Sequence, residues 1–151
     1  MSLTVVVTGA NQGAGFEACR QLALDSRVSK VVLTCRSEAK AKAAIDALKK
    51  ATGKPPELFD FVLLDLDDHA SALAAVGALP AKVDVLILNA GYLGPGLRPD
   101  GAVTATFAST VGHATLTEGL LACRKVAPGA RVVYSSTELT RWVPMMTDFQ
   151  A

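Results

Sequence analysis

The 151-residue chain reads as an α/β protein, a three-layer fold built on a mostly parallel, doubly wound sheet. Three observations predict it. Apolar runs of strand length alternate with helical stretches along the chain, and the runs are continuous, as expected when helices cover both sheet faces. The first run, Leu3–Thr8, breaks into the glycine-rich turn Gly9-Ala-Asn-Gln-Gly-Ala-Gly15 and then into a helix. The residues with chemical character fall just after the strands, at the edge where such sheets hold their ligands.

The elements follow in order. The first strand ends at Thr8, and a helix over Phe16–Leu24 carries a core-facing stripe of Phe16, Cys19, Leu22 and Ala23. The second strand is Lys30–Cys35. Ser37 caps an alanine- and lysine-rich helix that runs to about Ala51, and Thr52-Gly-Lys-Pro-Pro56 stops it. The third strand is Leu58–Leu66, followed by a short helix from Asp68 to about Val76; the fourth is Val83–Leu88. A Gly- and Pro-rich loop from Gly91 to Gly101 precedes a helical stretch through about Lys125. Ala127-Pro-Gly-Ala130 then reads as a turn into a fifth strand, Arg131–Ser135.

Composition narrows the class. Half of the residues are hydrophobic, 19% are charged and the net charge is +1, which suits one globular core and no nucleic-acid surface. The lysines at 40, 42, 49, 50 and 54 alternate with alanines and read as a solvated helix face. The start of the chain has no basic leader, and no run approaches the ~18 apolar residues of a spanning helix, so no membrane partner is expected. Cys19, Cys35 and Cys123 are odd in number and far apart, which fits a reduced, cytoplasmic chain without disulfides or a metal site.

The glycine turn has a mechanical reading. Gly9 lets the chain leave the strand, Gly13 lets backbone approach a pyrophosphate, and Gly15 lets the new helix pack on the sheet. With Asn11, Gln12 and Ala14 between them, they form a candidate phosphate cradle at a helix N-terminus. Arg36 follows the second strand, where a carboxylate would accept from a free ribose 2′-hydroxyl; a guanidinium there pairs with a 2′-phosphate and favours NADP over NAD. The plain alternative is a surface arginine, because Gln12 adds no second positive charge in the turn. Asp65 ends the third strand, and its expected role is to accept from the adenine amino group beside Leu66. As turn or cap residues, Asp67 and Asp68 are the better candidates. Asn89-Ala-Gly91 ends the fourth strand, with an amide able to bridge neighbouring loops and small residues that leave space for a flat cofactor.

Thr8-Gly-Ala-Asn-Gln-Gly-Ala-Gly15, Asp65, Leu88-Asn-Ala-Gly91, Asp100-Gly101, Gly112-His113 and Arg131-Val-Val-Tyr-Ser-Ser136 occur in the order seen in short-chain dehydrogenases/reductases. The chain resembles that family over essentially its whole length, most of all the fungal and retinol-dehydrogenase-like group. The resemblance implies a Rossmann fold, a nicotinamide cofactor and hydride transfer to or from a carbonyl or alcohol of a small metabolite, with secondary metabolism as a setting. It puts the pyrophosphate on Gly9, Gly13 and Gly15, adenine on Asp65 and the lining of the cofactor site on Asn89, Ala90 and Gly91. Arg124, late in the helix before the fifth strand, falls near a further cofactor position.

The same resemblance implies a substrate-orienting hydroxyl after the fifth strand, a role for Ser136, with Thr137 as the alternative if the register shifts by one. It also implies a Tyr-x-x-x-Lys pair a dozen or more residues later. No tyrosine follows Tyr134 and no lysine follows Lys125 within these 151 residues. Unaided by such a lysine, a phenol titrates near ~10 and is a poor base at neutral pH. Ser109 stands where the family carries a relay asparagine, and His113 reads as a helix-packing residue rather than a replacement base.

The expected architecture is therefore one dinucleotide-binding domain over 1–151, abridged after the fifth strand, with 138–151 an incomplete substrate-side tail. In that tail Trp142, Val143, Met145 and Met146 lack cover, which leaves room for a homo- or hetero-oligomer. Two functions are carried forward. The first is an NADP-dependent oxidoreductase impaired for want of its catalytic pair. The second is a non-catalytic NADP-binding module or partner subunit of a full-length reductase.

Overall fold

A computed structural model describes residues 2–91, 101 and 110–136. Five strands, β1 (Leu3–Thr8), β2 (Val28–Cys35), β3 (Phe59–Leu63), β4 (Val83–Leu88) and β5 (Val126–Tyr134), form one parallel sheet in the order β3-β2-β1-β4-β5. Among the described residues four α-helices accompany them: α1 (Gly13–Leu24), α2 (Glu38–Thr52), α3 (His69–Ala78) and α4 (Gly112–Ala122). The strand order reverses between β1 and β4, which opens a crevice beyond their C-terminal ends. The doubly wound α/β reading holds.

Strand alternation sorts the core into two layers. Val5, Val7, Val31 and Leu33 pack with Cys19, Ala23, Ala44 and Leu48 of α1 and α2. On the other face Val6, Val32 and Leu86 pack with Ala72, Ala75, Leu116 and Leu120 of α3 and α4. Burial pushes the Cys19 thiol up to about 12, so this cysteine serves as a small apolar side chain. Beneath α3, the Lys125 ammonium donates to the carbonyls of Val76, Gly77 and Leu79 at 2.7, 2.9 and 2.7 Å, capping the helix C-terminus with a positive charge.

Several boundaries move. α1 begins at Gly13, so the glycine turn runs into its first turn. α2 is capped as expected, Ser37 Oγ accepting from Lys40 N, and ends on left-handed Gly53. β3 stops at Leu63, short of Leu66, because the Asp65 amide donates to Ser71 Oγ (2.9 Å) and leaves the ladder. β5 begins at Val126 rather than Arg131. Val126 pairs with Val83 and Arg131 with Val85, so Pro128 and left-handed Gly129 (φ 76°) form a bulge inside the strand, where a turn was expected. α4 ends at Ala122, and Lys125 lies beyond it.

Asp100, Ser109, Thr137 and the segment 138–151, with Trp142, Val143, Met145 and Met146, lie outside the described residues. Among the described residues no helix is long and apolar enough to cross a membrane.

Candidate functional site

The crevice at the β1/β4 reversal is a cleft of about 940 Å³. Gly9, Asn11, Gln12, Gly13 and Ala14 form one wall, Arg36, Ser37 and Lys40 one end, and Asp65 and Leu66 the side below them. Asn89, Ala90, Gly91, Tyr134 and Ser136 line it as well, with Thr34, Cys35, Leu64, Asp67 and Ser135 between the named groups. Eleven residues singled out from the sequence as site candidates thus meet in one place: Gly9, Asn11, Gln12, Gly13, Ala14, Arg36, Asp65, Asn89, Ala90, Gly91 and Ser136. Gly15 stands just behind them and Arg124 stands apart.

The glycine turn leaves the start of α1 open to the cleft. Gln12, the N-cap of α1, makes no side-chain capping bond, so the first amides of the helix keep no partner from that side chain. Gly13 has φ 61°, and a Cβ placed on it would meet nothing within 4 Å. Its main chain is therefore open to a group approaching from the cleft. Gly15 does the opposite job: a Cβ there would come 2.5 Å from Asn89 Nδ2 and 2.6 Å from Gly9 O. The helix start packs against β1 and β4 as closely as backbone allows. The open face at Gly13 and the uncapped helix start fit a pyrophosphate.

Thr8 joins β1 to β4. Its Oγ1 accepts from Asn89 N and Ala90 N, each at 2.9 Å, and lies 2.9 Å from His113 Nε2. Asn89 Nδ2 returns a bond to Thr8 O at 3.0 Å and a longer one to Gly9 O at 3.5 Å, bridging the two loops as its type suggested. His113 is buried, its ring edge-on to Tyr134 at 5.8 Å, which agrees with a packing residue. Tyr134 itself is 52% exposed at the cleft wall.

The acidic segment needs a correction. Asp65, half-buried, accepts the Asp67 amide on Oδ1 at 3.0 Å, so Asp65 itself holds a turn, a role the sequence favoured for Asp67 and Asp68. Asp68 does cap α3, accepting from Ala70 N at 2.9 Å. Lys40 was read only as part of a solvated helix face; the structure puts it at the cleft beside Arg36, four positions on and one helical turn from the cap. Arg124 sits on the turn between α4 and the start of β5, whereas the cleft lies at the other end of that strand. There it occupies a left-handed position (φ 54°) as Arg124 N and Lys125 N bond back to Leu121 O and Leu120 O, a helix-ending role.

A sequence model of the short chain dehydrogenase family matches residues 3–131. The chain belongs to the short-chain dehydrogenase family. Among its relatives, (+)-neomenthol dehydrogenase of Capsicum annuum is 45% identical over 92 residues, 59% of this chain and 29% of that protein. Human dehydrogenase/reductase SDR family member 13 is 35% identical over 133 residues, 86% of this chain and 34% of that protein. The chain thus spans about a third of the length of these curated relatives. In three dimensions it is similar to menthone neomenthol reductase of Mentha piperita, with a TM-score of 0.77 at 24% identity over 93% of this chain and 62% of that one. A short-chain dehydrogenase of Sphingobium yanoikuyae in complex with NADPH gives 0.71 at 21% identity over 95% and 56%. Within this family fold, the described strands carry the cradle (β1), the cation end (β2), the acidic turn (β3), the Asn-Ala-Gly wall (β4) and the serine end (β5).

Proposed function

We propose that the cleft binds NADP(H) and that the chain is the cofactor-binding part of an NADP-dependent oxidoreductase acting on a carbonyl or hydroxyl of a small metabolite. One observation carries this reading: an uncapped, glycine-lined helix start and two cations, Arg36 and Lys40, open onto the same cleft. Gly9, Asn11, Gln12, Gly13, Ala14 and Gly15 take the pyrophosphate. Arg36, with Lys40 beside it, takes a 2′-phosphate, as a fork-shaped guanidinium and a point charge suit a doubly ionised group. Lys40 supplies the second positive charge that Gln12 does not. The free edge of the Asp65 carboxylate takes the adenine amino group, and Asn89, Ala90 and Gly91 line the nicotinamide end. The bound cofactor supplies or takes up hydride. Ser136, at the β5 end of the cleft, orients the substrate oxygen, with Thr137 its neighbour in sequence. Names such as neomenthol dehydrogenase and reductase among the relatives are in keeping with a small alcohol or ketone.

Calorimetric titration with NADPH and NADH tests the reading. NADPH is expected to bind at least about tenfold tighter, equivalent to one charge-assisted contact. Arg36→Asp is expected to remove that preference. Binding of neither nucleotide sinks the proposal, and an unchanged ratio in Arg36→Asp removes the 2′-phosphate assignment.

A further inference from the structure

The Thr8 hydroxyl sits where four elements meet. Thr8 ends β1, Asn89 and Ala90 follow β4, His113 opens α4, and Tyr134 closes β5. A hydroxyl oxygen has two lone pairs and one proton. The amides of Asn89 and Ala90, which can only donate, take both lone pairs of Thr8 Oγ1. Its proton therefore points at His113 Nε2, 2.9 Å away, and that nitrogen must accept. In the neutral ring the remaining proton then lies on Nδ1.

Burial alone does not create such an arrangement. Thr34 pairs with Thr8 across β1 and β2 and is equally inaccessible, yet its hydroxyl finds no partner among the described residues. The Thr8 network is held from the helix side as well. Gly112 brings the start of α4 against the Leu66 carbonyl, where a Cβ would overlap it, and Thr117 Oγ1 donates to His113 O at 2.8 Å. The main chain that carries the ring is thus held from two sides.

We infer that His113 is a positioning residue for the cofactor cleft: by accepting the hydrogen bond of the Thr8 hydroxyl at Nε2 it commits both Thr8 lone pairs to the Asn89 and Ala90 amides and so sets the wall those residues present. Were Nε2 to donate instead, it would compete with one amide for a lone pair, and a buried N–H at the cleft wall would lose its partner. The inference rests on the reading of the cleft as a dinucleotide site only for its consequence, not for the hydrogen-bond pattern itself.

Two measurements on the whole chain test it separately. Nitrogen-15 shifts of the His113 ring at neutral pH are expected to show protonated Nδ1 and unprotonated Nε2; a protonated Nε2 overturns the inference whatever the cleft binds. NADPH affinity, measured calorimetrically on variants shown by circular dichroism to be folded, is expected to fall about tenfold in His113→Leu, the scale of one lost buried hydrogen bond. His113→Gln, whose amide oxygen can reach the same proton, is expected to recover most of it, and Thr8→Ser is expected to bind far better than Thr8→Val. Loss in both histidine variants alike, or in neither, overturns the positioning role. If the unaltered chain binds no NADPH, the proposed function fails and the ring shifts alone decide the inference.

Discussion

The ends of β1 and β4 and the end of β5 all reach the cleft, and the two regions are built by different means. At β1 and β4 the buried residues include Val5, Val6, Val7 and Leu86, with Val85 and Ile87 partly covered, and the strand ends are laced by Thr8, Asn89 and the close approach of Gly15. At β5, Val132, Val133 and Tyr134 are 49%, 45% and 52% exposed, although consecutive side chains point to opposite faces. The cradle side carries its own support within the described residues. Among the described residues, the serine side is joined to the rest by its ladder with β4 and by the edge contact between Tyr134 and His113, among other contacts. Among the described residues, the cradle side is therefore the more deeply buried of the two, and Ser136 stands at the more exposed end.

Truncations in the two regions sharpen that contrast most. Leu86→Ala, at a site 1% exposed, is expected to cost about 2–5 kcal/mol of unfolding free energy in urea melts. Val133→Ala, one strand away, is expected to change it by no more than about 0.5 kcal/mol. Equal losses would show that β5 is as well supported as its neighbour. The glycines give the next effect. Gly15→Ala forces a Cβ onto Asn89 Nδ2 and the Gly9 carbonyl and is expected to cost about 1–3 kcal/mol and abolish nucleotide binding. Gly13→Ala meets no atom and pays only for its positive φ, about 1–2 kcal/mol. If both variants bind NADPH normally, the cradle is not where the phosphates sit.

How far the sequence made this legible depends on how local each feature is. A parallel sheet covered on both faces followed from continuous apolar runs such as Val5–Val7 and Val31–Leu33, because parallel strands covered on two faces leave no polar alternation. The glycine turn was legible because its constraints lie within a few residues. The β5 start was not: Pro128-Gly129 has the composition of a turn, and only pairing with β4 across the sheet makes it a bulge. Asp65 and Asp67 are equivalent as letters, and the turn bond of Asp65 and the bond of its amide to Ser71 Oγ, six positions on, appear only in the fold. Lys40 shares its composition with the lysines around it, and only the direction of α2 brings it to Arg36. The bond between Thr8 and His113 spans 105 positions, beyond the reach of any local pattern.

The smallest expected effect concerns the opposite end of the sheet, where β1 and β4 are tied again. Asp84, whose side chain is 11% exposed, pairs with Lys82 at 2.8 Å and accepts the Thr4 amide at 2.9 Å. The Lys82 ammonium first, and the Thr4 amide second, hold its carboxyl below the ordinary carboxylate range. A carboxyl depressed in the folded state contributes stability that is present above the unfolded value, near ~4, and is lost as pH falls through the lower folded value. Acid melts should therefore show an Asp84-dependent loss below about pH 4, and Asp84→Asn should flatten that limb. The amide oxygen of asparagine can still accept from Thr4, so only the charge is removed, and Lys82 is 62% exposed, which limits the pair to about 1 kcal/mol or less. A much larger loss in Asp84→Asn would mean that the β1/β4 tie at this end depends on charge. The rigidity of the cradle side would then vary with pH, which a junction held by Thr8, Asn89 and glycine contacts does not predict.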